Sequence, residues 1–299
     1  MPDKFLPTLS LVINTRNEAR TLKSCIKSAQ SLSSEIIIMD MESTDETVKI
    51  AKSFGAKVFT HPAVGFVEPA RQAALNKATS DWILLLDADE KLTPELSKKI
   101  KELIKNPELS VIAIPRKNII FKHWFKGAGY WPNYQIRLFR KKTVRWPTHI
   151  HAAPISKKTI SYLPAQEKFA LQHNTVVNPN TFLAKTDSYT NYEQSFLEFV
   201  KIHGFSGTTA ISYCNAAFED SFYVQNAAED GFPGFVMSKL METYRFAEVA
   251  KYWLRHDSPP IKDWNETVNE MHLERSFRTS RIFKWWVVYQ KIKKRLKVW

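Results

Sequence analysis

Trp82-Ile83-Leu84-Leu85-Leu86-Asp87-Ala88-Asp89-Glu90 runs five apolar residues into a cluster of three carboxylates. The apolar run is short and lies between a helical pattern and a Thr93-Pro94 helix start. That combination predicts a central strand buried on both faces. The strand ends at Asp87, so the acids emerge together at its carboxyl edge, where open α/β sheets bind ligands. Carboxylates so close repel one another unless a cation or a donor-rich ligand sits among them. Asp87-Ala88-Asp89 can hold a divalent metal through hard oxygen ligands, and the metal can in turn hold a diphosphate. The plain alternative is an acidic turn that caps the next helix.

Working outward from this strand, residues 9–14 and 35–40 predict two more strands, the second also ending in an acid, Asp40. Between them Leu22, Cys25, Ile26 and Ala29 fall on one helical stripe. Ser43 or Thr44 is suited to cap a helix with Val48, Ala51 and Phe54 on its apolar face and Gly55 at its end. A short strand over 56–59 and a helix over 68–79 complete the approach to Trp82. Alternating strands and helices imply a parallel sheet covered by helices on both faces. Parallel strands end on one edge, so Asp40 and Asp87 are expected to line one crevice.

Beyond the acids, Leu96, Ile100, Leu103 and Ile104 mark a helix opened by Thr93-Pro94. Residues 110–115 and 134–141 read as strands, the second carrying Arg137. Lys117 to Lys126 is basic and aromatic, and residues 127–132 form a loop with Tyr130 and Trp131. His149-Ile150-His151 would put both imidazoles on one face of a strand. From Asn178-Pro179 onward the pattern is helical. Phe182, Tyr189, Tyr192, Phe196, Phe199 and Val200 keep one spacing up to Gly204, and a second helix is expected over 234–255. No internal repeat is visible. The domain division expected is 1–175, an α/β catalytic unit; 176–260, a helical covering region; and 261–299, a tail.

The chain has 299 residues, 44% of them hydrophobic, which is enough for a core and excludes a disordered chain. Two cysteines, Cys25 and Cys214, are too few for a disulfide framework and point to a reducing compartment. No run reaches membrane-spanning length, and no signal peptide is evident. The net charge of +13 favours a polyanionic partner. Much of it lies in the tail, where residues 275–299 hold nine Lys or Arg and no acid. On a helix, Ile282, Trp285, Val288, Tyr289, Ile292, Leu296 and Trp299 would share one face. That pattern suits an anionic membrane surface.

The order of motifs resembles the family-2 glycosyltransferases, which have the GT-A fold. The residues that carry the resemblance are Val12 to Glu18, Asp40-x-x-Ser43-Thr44-Asp45-x-Thr47, Arg71 and Leu86 to Glu90. It extends more weakly through Tyr134-Gln135-x-Arg137, His151, His173 and Asp230-Gly231-x-x-Gly234-Phe235. Within the family the chain is most similar to the bacterial β-1,4-glucosyltransferases of lipopolysaccharide core synthesis. The resemblance implies an α/β, Rossmann-like and mostly parallel sheet with a C-terminal helical region. It implies a nucleotide sugar donor, a glycan or glycolipid acceptor and a divalent cation, Mg or Mn. By position, Thr15, Asn17 and Glu18 match the loop around the nucleoside, Asp40 the carboxylate that reads the base, and Asp87 the one near the ribose. Ser43, Asp45, Arg71 and Arg137 complete the candidate donor-binding set, and Asp89 matches the metal ligand. The family usually has His-Glu where this chain has His151-Ala152, so an expected acid is missing. His151 is then the base itself, or a second metal ligand with Glu167 as the base; or the chain binds donor without transferring it.

The expectation is an inverting, metal-dependent hexosyltransferase, cytoplasmic and peripheral on the inner face of the cell membrane, with UDP-glucose or a similar donor. Two rival readings fit the sequence less well. A sugar-1-phosphate nucleotidylyltransferase would need a Gly-rich loop where residues 14–20 supply none. A basic nucleic-acid-binding protein is disfavoured because so much charge sits in one amphipathic tail.

Overall fold

The computed structural model describes residues 7–149, 152–174, 179–191, 195–256 and 260–279. The first half alternates as expected: β1 (Leu9–Thr15), α1 (Leu22–Ala29), β2 (Glu35–Asp40), α2 (Thr47–Ser53), β3 (Lys57–Thr60), α3 (Glu68–Lys77) and β4 (Trp82–Asp87). A two-residue strand β5 (Glu90–Lys91), helix α4 (Pro94–Leu103) and strands β6 (Val111–Ile120), β7 (His123–Trp124) and β8 (Asn133–Arg140) follow. Short strands β9 (Val144–Arg145), β10 (Ile155–Ser156), β11 (Ile160–Tyr162) and β12 (Leu171–Asn174) close the sheet-forming part. Among the described residues the α-helices α5 (Pro179–Tyr189), α6 (Ser195–His203), α7 (Gly207–Glu219), α8 (Gly231–Arg255) and α9 (Trp264–Thr279) come after them.

The main sheet runs β3-β2-β1-β4-β8-β6-β12-β5. Its first four strands are parallel, and the register sets Thr15 beside Asp40 and Asn14 beside Asp87. The two acids therefore flank the carboxyl end of β1, as the sequence predicts. Both faces of β1, of β4 and of most of β2 are buried, whereas the edge strand β3 is partly exposed. Leu11, Ile13, Leu84 and Leu86 pack with Leu22, Cys25 and Ile26 of α1 and Leu96 and Ile100 of α4. Val12, Ile37, Met39, Ile83 and Leu85 pack with Ala70, Ala74 and Leu75 of α3. This is why the Trp82 run shows no polar alternation. Truncating Leu84 to Ala would cost about 2–5 kcal/mol.

Several expectations need correction. The sheet is mixed, because β8 pairs antiparallel with both β4 and β6. A register shift between β6 and β8 sets Ile112 against Leu138 and Ala113 against Ile136, so Arg137 is the bulged residue. A bulge re-aims its side chain. Helix α2 starts at Thr47, and neither Ser43 nor Thr44 caps it; both are used by the neighbouring loop. His149 sits in an exposed bend between β9 and β10, not on a strand, and His151 lies outside the described residues. The aromatic run after Asn178-Pro179 is divided between α5 and α6. Helix α7 was not anticipated. It is capped by Ser206, whose Oγ accepts from the Thr209 amide at 3.1 Å. The tail face expected at Ile282 to Trp299 lies outside the described residues.

Candidate active site

The loops after β1 and β2 are stitched to each other. Asn17 is left-handed, with φ 56°, a conformation that asparagine tolerates well. Its N–H donates to Ser43 Oγ at 2.8 Å, and its Oδ1 accepts from the Thr44 amide at 2.8 Å. The Glu18 amide donates to Thr47 Oγ1 at 2.8 Å and the Ala19 amide to Asp45 Oδ2 at 3.1 Å. Asp40 is buried and accepts from Thr15 Oγ1 at 3.1 Å and from the Ser43 amide at 2.9 Å. Thr15, Asn17, Asp40, Ser43 and Asp45 thus build a wall.

Beside that wall lies a cleft of about 530 Å³. Of the predicted residues, Glu18, Arg71, Asp87 and Asp89 line it. Asn14, Arg16, Glu68, His173, Lys185 and Tyr189 line it as well. Asn14 is 5% exposed, and neither its Nδ2 nor its Oδ1 has a hydrogen-bond partner. Such buried amide atoms await a ligand or water. Lys185 and Tyr189 come from α5, so the helical region supplies one side of the cleft.

The floor is an ion cluster. Asp87 Oδ1 accepts from Arg71 Nη2 at 2.7 Å, and Oδ2 pairs with Arg137. Glu90 is fully buried and accepts from the Asp87 amide at 3.0 Å, from Arg137 at 2.9 Å and from Arg116 at 3.2 Å. Burial would raise the Asp87 carboxyl, but Arg137, Arg71 and Arg116 hold it well below the usual carboxylate range. Asp87 is therefore ionised, with an arginine on each oxygen. Arg137, aimed by the bulge, lies beneath the cleft and is 2% exposed; it holds Asp87 and Glu90 and does not line the opening. Arg71 lies over the Trp146 ring, 5.1 Å from its centroid, and its buried Nη1 has no hydrogen-bond partner.

Asp89 faces His173. Antiparallel pairing of β12 with β5 sets His173 against Glu90 in the register, and His173 Nε2 lies 3.1 Å from Asp89 Oδ2. On the ring's other side, His173 Nδ1 is 2.7 Å from Asn118 Oδ1. The orientation of that amide is fixed, because Asn118 Nδ2 donates to the Tyr130 carbonyl at 3.0 Å. A carbonyl only accepts, so the Asn118 oxygen faces the ring and Nδ1 carries the proton. In the neutral ring, Nε2 then presents a lone pair to a carboxylate oxygen. Two acceptors 3.1 Å apart are reconciled by a proton or by a cation between them. A proton gives an ion pair, and a divalent metal held by Asp89 and His173 also satisfies the geometry. Among the described residues no third His, Cys, Asp or Glu joins them. Glu18 is nearby; burial first, and then the Asp89 charge, push its carboxyl up.

The remaining predicted residues sit elsewhere. Glu167 is paired with Lys117, has a side chain 57% exposed and does not line the cleft. His151 is outside the described residues. Asp230, of the Asp230-Gly231-x-x-Gly234-Phe235 motif, is a fastener. Its carboxylate accepts from the amides of Lys126 at 3.0 Å and Gly127 at 2.8 Å and bonds His123 Nε2 at 2.9 Å. Gly127 and Gly234 permit that approach, since a Cβ would sit 2.3 Å from the Asn226 carbonyl oxygen or 1.8 Å from that of Ala227. His173 was visible in the sequence as a matched histidine, but nothing there placed it beside Asp89.

The chain is similar to several known proteins. A glycosyltransferase of Rickettsia felis, itself uncharacterized, is 28% identical over 256 residues, covering 81% of this chain and 88% of that one. A Rickettsia conorii glycosyltransferase is 28% identical over 268 residues, covering 85% and 92%. Among solved structures, glucosyl-3-phosphoglycerate synthase of Mycobacterium tuberculosis, determined with Mn2+, UDP and glucosyl-3-phosphoglycerate, aligns at 24% identity with a TM-score of 0.32. That alignment covers 38% of this chain and 44%, less than half, of the synthase chain. The mixed sheet with flanking helices and a helical C-terminal region is a GT-A fold. The model of glycosyl transferase family 2 matches residues 10–161, just over half of the sequence and the whole of the wall, the floor and the acid turn. The chain belongs to glycosyl transferase family 2.

Proposed function

We propose that the protein transfers a hexose, with inversion, from a nucleoside diphosphate sugar to a glycolipid of the cell envelope, with a divalent cation bound at Asp89 and His173. The observation that carries this is the Asp89–His173 pair, with Asn118 fixing the imidazole and Arg71 beside it at the carboxyl edge of β4. Asp89 and His173 would hold a metal whose charge would offset that of the departing nucleoside diphosphate. The chain's own groups do the rest. The buried Asn14 amide and the Asp40 wall meet the nucleoside. Arg71, aimed by Asp87 and Trp146, offers its unpaired Nη1 to a phosphate oxygen. Lys185 and Arg16 add positive charge along the cleft. A base within hydrogen-bond reach takes the proton of the attacking hydroxyl, and we assign that role to His151, because His173 already takes the imidazole place beside Asp89.

The acceptor class rests on charge. A net charge of +13 and the basic, tryptophan-bearing tail over 275–299 suit a phosphorylated glycolipid at an anionic membrane face. No helix among the described residues is long and apolar enough to cross a membrane. Calorimetric titration of UDP with Mn2+, with Mg2+ and with EDTA tests the donor side. Binding strengthened by cation in the wild type and indifferent to cation in Asp89→Ala is expected. Equal UDP affinity under all three conditions would overturn the metal assignment.

A further inference from the structure

Asp230, which opens the Asp230-Gly231-x-x-Gly234-Phe235 motif, does not line the cleft, yet a chain of hydrogen bonds ties it to the cleft. It stands at the N-cap position of α8, where an acid ordinarily accepts from its own helix. Its side chain makes no such bond. The carboxylate is buried and turns to the segment 123–127 instead. There it accepts from the Lys126 amide at 3.0 Å, the Gly127 amide at 2.8 Å and His123 Nε2 at 2.9 Å.

What Asp230 grips is the segment that fixes Asn118. The Gly127 carbonyl accepts from the Tyr130 amide at 2.9 Å, which closes a turn. At the end of that turn the Tyr130 carbonyl accepts from Asn118 Nδ2 at 3.0 Å. Ahead of the turn, the Phe125 amide donates to the Asn118 carbonyl at 3.0 Å. Phe125 is fully buried and packs with Ile120 and with Met237 of α8. Asn118 is 1% exposed, so the direction of its amide depends on these neighbours. Its Oδ1 receives the His173 Nδ1 proton, and Nε2 of the same ring faces Asp89.

Losing the carboxylate would leave the Lys126 and Gly127 amides without this acceptor, and Gly127 is buried. An orphaned buried amide costs free energy that movement of the turn relieves. The Ala128 amide remains bonded to the Gln225 carbonyl at 2.6 Å, so the turn would shift rather than detach. A shift at Tyr130 moves the acceptor that orients Asn118.

We propose that Asp230 is a positioning residue for the His173 imidazole, acting from the helical region through the 126–130 turn and Asn118. The placement of the ring rests on these hydrogen bonds, and its effect on cation binding rests on the cation site proposed above. Two variants break the first link. Asp230→Ser removes the carboxylate, and Gly127→Ala puts a Cβ 2.3 Å from the Asn226 carbonyl oxygen. Asp230→Asn keeps an acceptor for the two amides and should behave as wild type. The first readout is nitrogen NMR of the histidine rings without cation or nucleotide, with His173 identified by the signal missing in His173→Gln. Wild type should carry a slowly exchanging proton on Nδ1, and both disruptive variants should lose that slow exchange. The second readout is UDP affinity with Mn2+ and in EDTA. In Asp230→Ser the affinity with Mn2+ should fall about 3- to 30-fold, while the affinity in EDTA stays at the wild-type value. In an Asn118→Leu background Asp230→Ser should add little, because its effect passes through Asn118. Additive losses overturn the proposal, as does an unaltered His173 ring in both variants. Loss of UDP affinity in EDTA by both variants also overturns it and makes Asp230 a general support of the fold. If wild-type UDP binding is indifferent to Mn2+, the cation site fails, and the ring signal alone decides: altered in the variants, it upholds the positioning role; unchanged, it ends it.

Discussion

His173 Nε2 stands 3.1 Å from Asp89 Oδ2 while His173 Nδ1 is committed to Asn118. One histidine is thus held between an amide that fixes its proton and a carboxylate that cannot donate. Under the proposed metal site, Asn118 orients the imidazole from behind.

Asn118→Leu keeps the volume and removes the acceptor for Nδ1–H. The ring is then free to rotate or change tautomer. Metal-dependent UDP affinity should fall roughly 10- to 100-fold, the usual cost of losing a partner behind a metal-bound histidine. UDP affinity in EDTA should not change. A parallel loss under both conditions would show that Asn118 shapes the cleft rather than the metal site.

The Arg137–Glu90 pair gives a stability prediction. Glu90 is fully buried, and Arg137 is 2% exposed. Arg137→Met leaves the Glu90 carboxylate buried with Arg116 as its remaining cation. Urea unfolding should show a loss of about 3–5 kcal/mol, and Arg137→Met with Glu90→Met together should recover much of it. If the single variant is as stable as wild type, the ion cluster is not what holds the acid turn.

Glu35 joins three strands at the opposite edge of the sheet. Its carboxylate accepts from Ser10 Oγ at 2.6 Å, the Thr79 amide at 2.6 Å and Lys57 Nζ at 2.9 Å. Burial opposes ionisation there, but these hydrogen bonds outweigh it and lower the carboxyl from 4.5 to about 2. A lowered carboxyl stabilises the fold above the unfolded value and loses that contribution as pH falls through the folded one. Allowing for solvent screening, about 1–2 kcal/mol should disappear between pH 4.5 and 2. Glu35→Gln should be less stable than wild type at pH 7, with the gap closing below pH 4.5. A gap that stays constant with pH would assign the effect to packing.

How legible was this site in the sequence? The places of Asp40 and Asp87 were, because an apolar run ending in an acid is local and parallel strands end on one edge. Residues set by tertiary pairing were not. His173 reaches Asp89 only because a two-residue strand, β5, accepts β12, and no periodicity marks a strand that short. Arg137 is expected among the donor contacts, but a bulge that no local pattern marks turns it under the cleft, where it holds Asp87 and Glu90. Ser43 and Asp45 carry the expected motif, yet their side chains bond the neighbouring loop. Lys185 and Tyr189 belong to a helix whose spacing describes its packing, not what it faces across a cleft.

The proton acceptor is the last assignment to test, and Glu167 supplies the contrast. Its carboxylate is 57% exposed and paired with Lys117, away from the cleft lining. A carboxylate outside the cleft lining is badly placed to take a proton from a hydroxyl that reaches a donor bound there. Glu167→Gln should therefore transfer sugar within about twofold of the wild-type rate. His151→Ala should lose roughly 10²- to 10⁴-fold in transfer, the range for removing a general base. As a base, His151 does not hold the metal, so this variant should keep metal-dependent UDP affinity. Loss of both properties would make His151 a metal ligand alongside Asp89 and His173. A wild-type rate in His151→Ala with a large loss in Glu167→Gln would reverse the assignment and give the proton to Glu167.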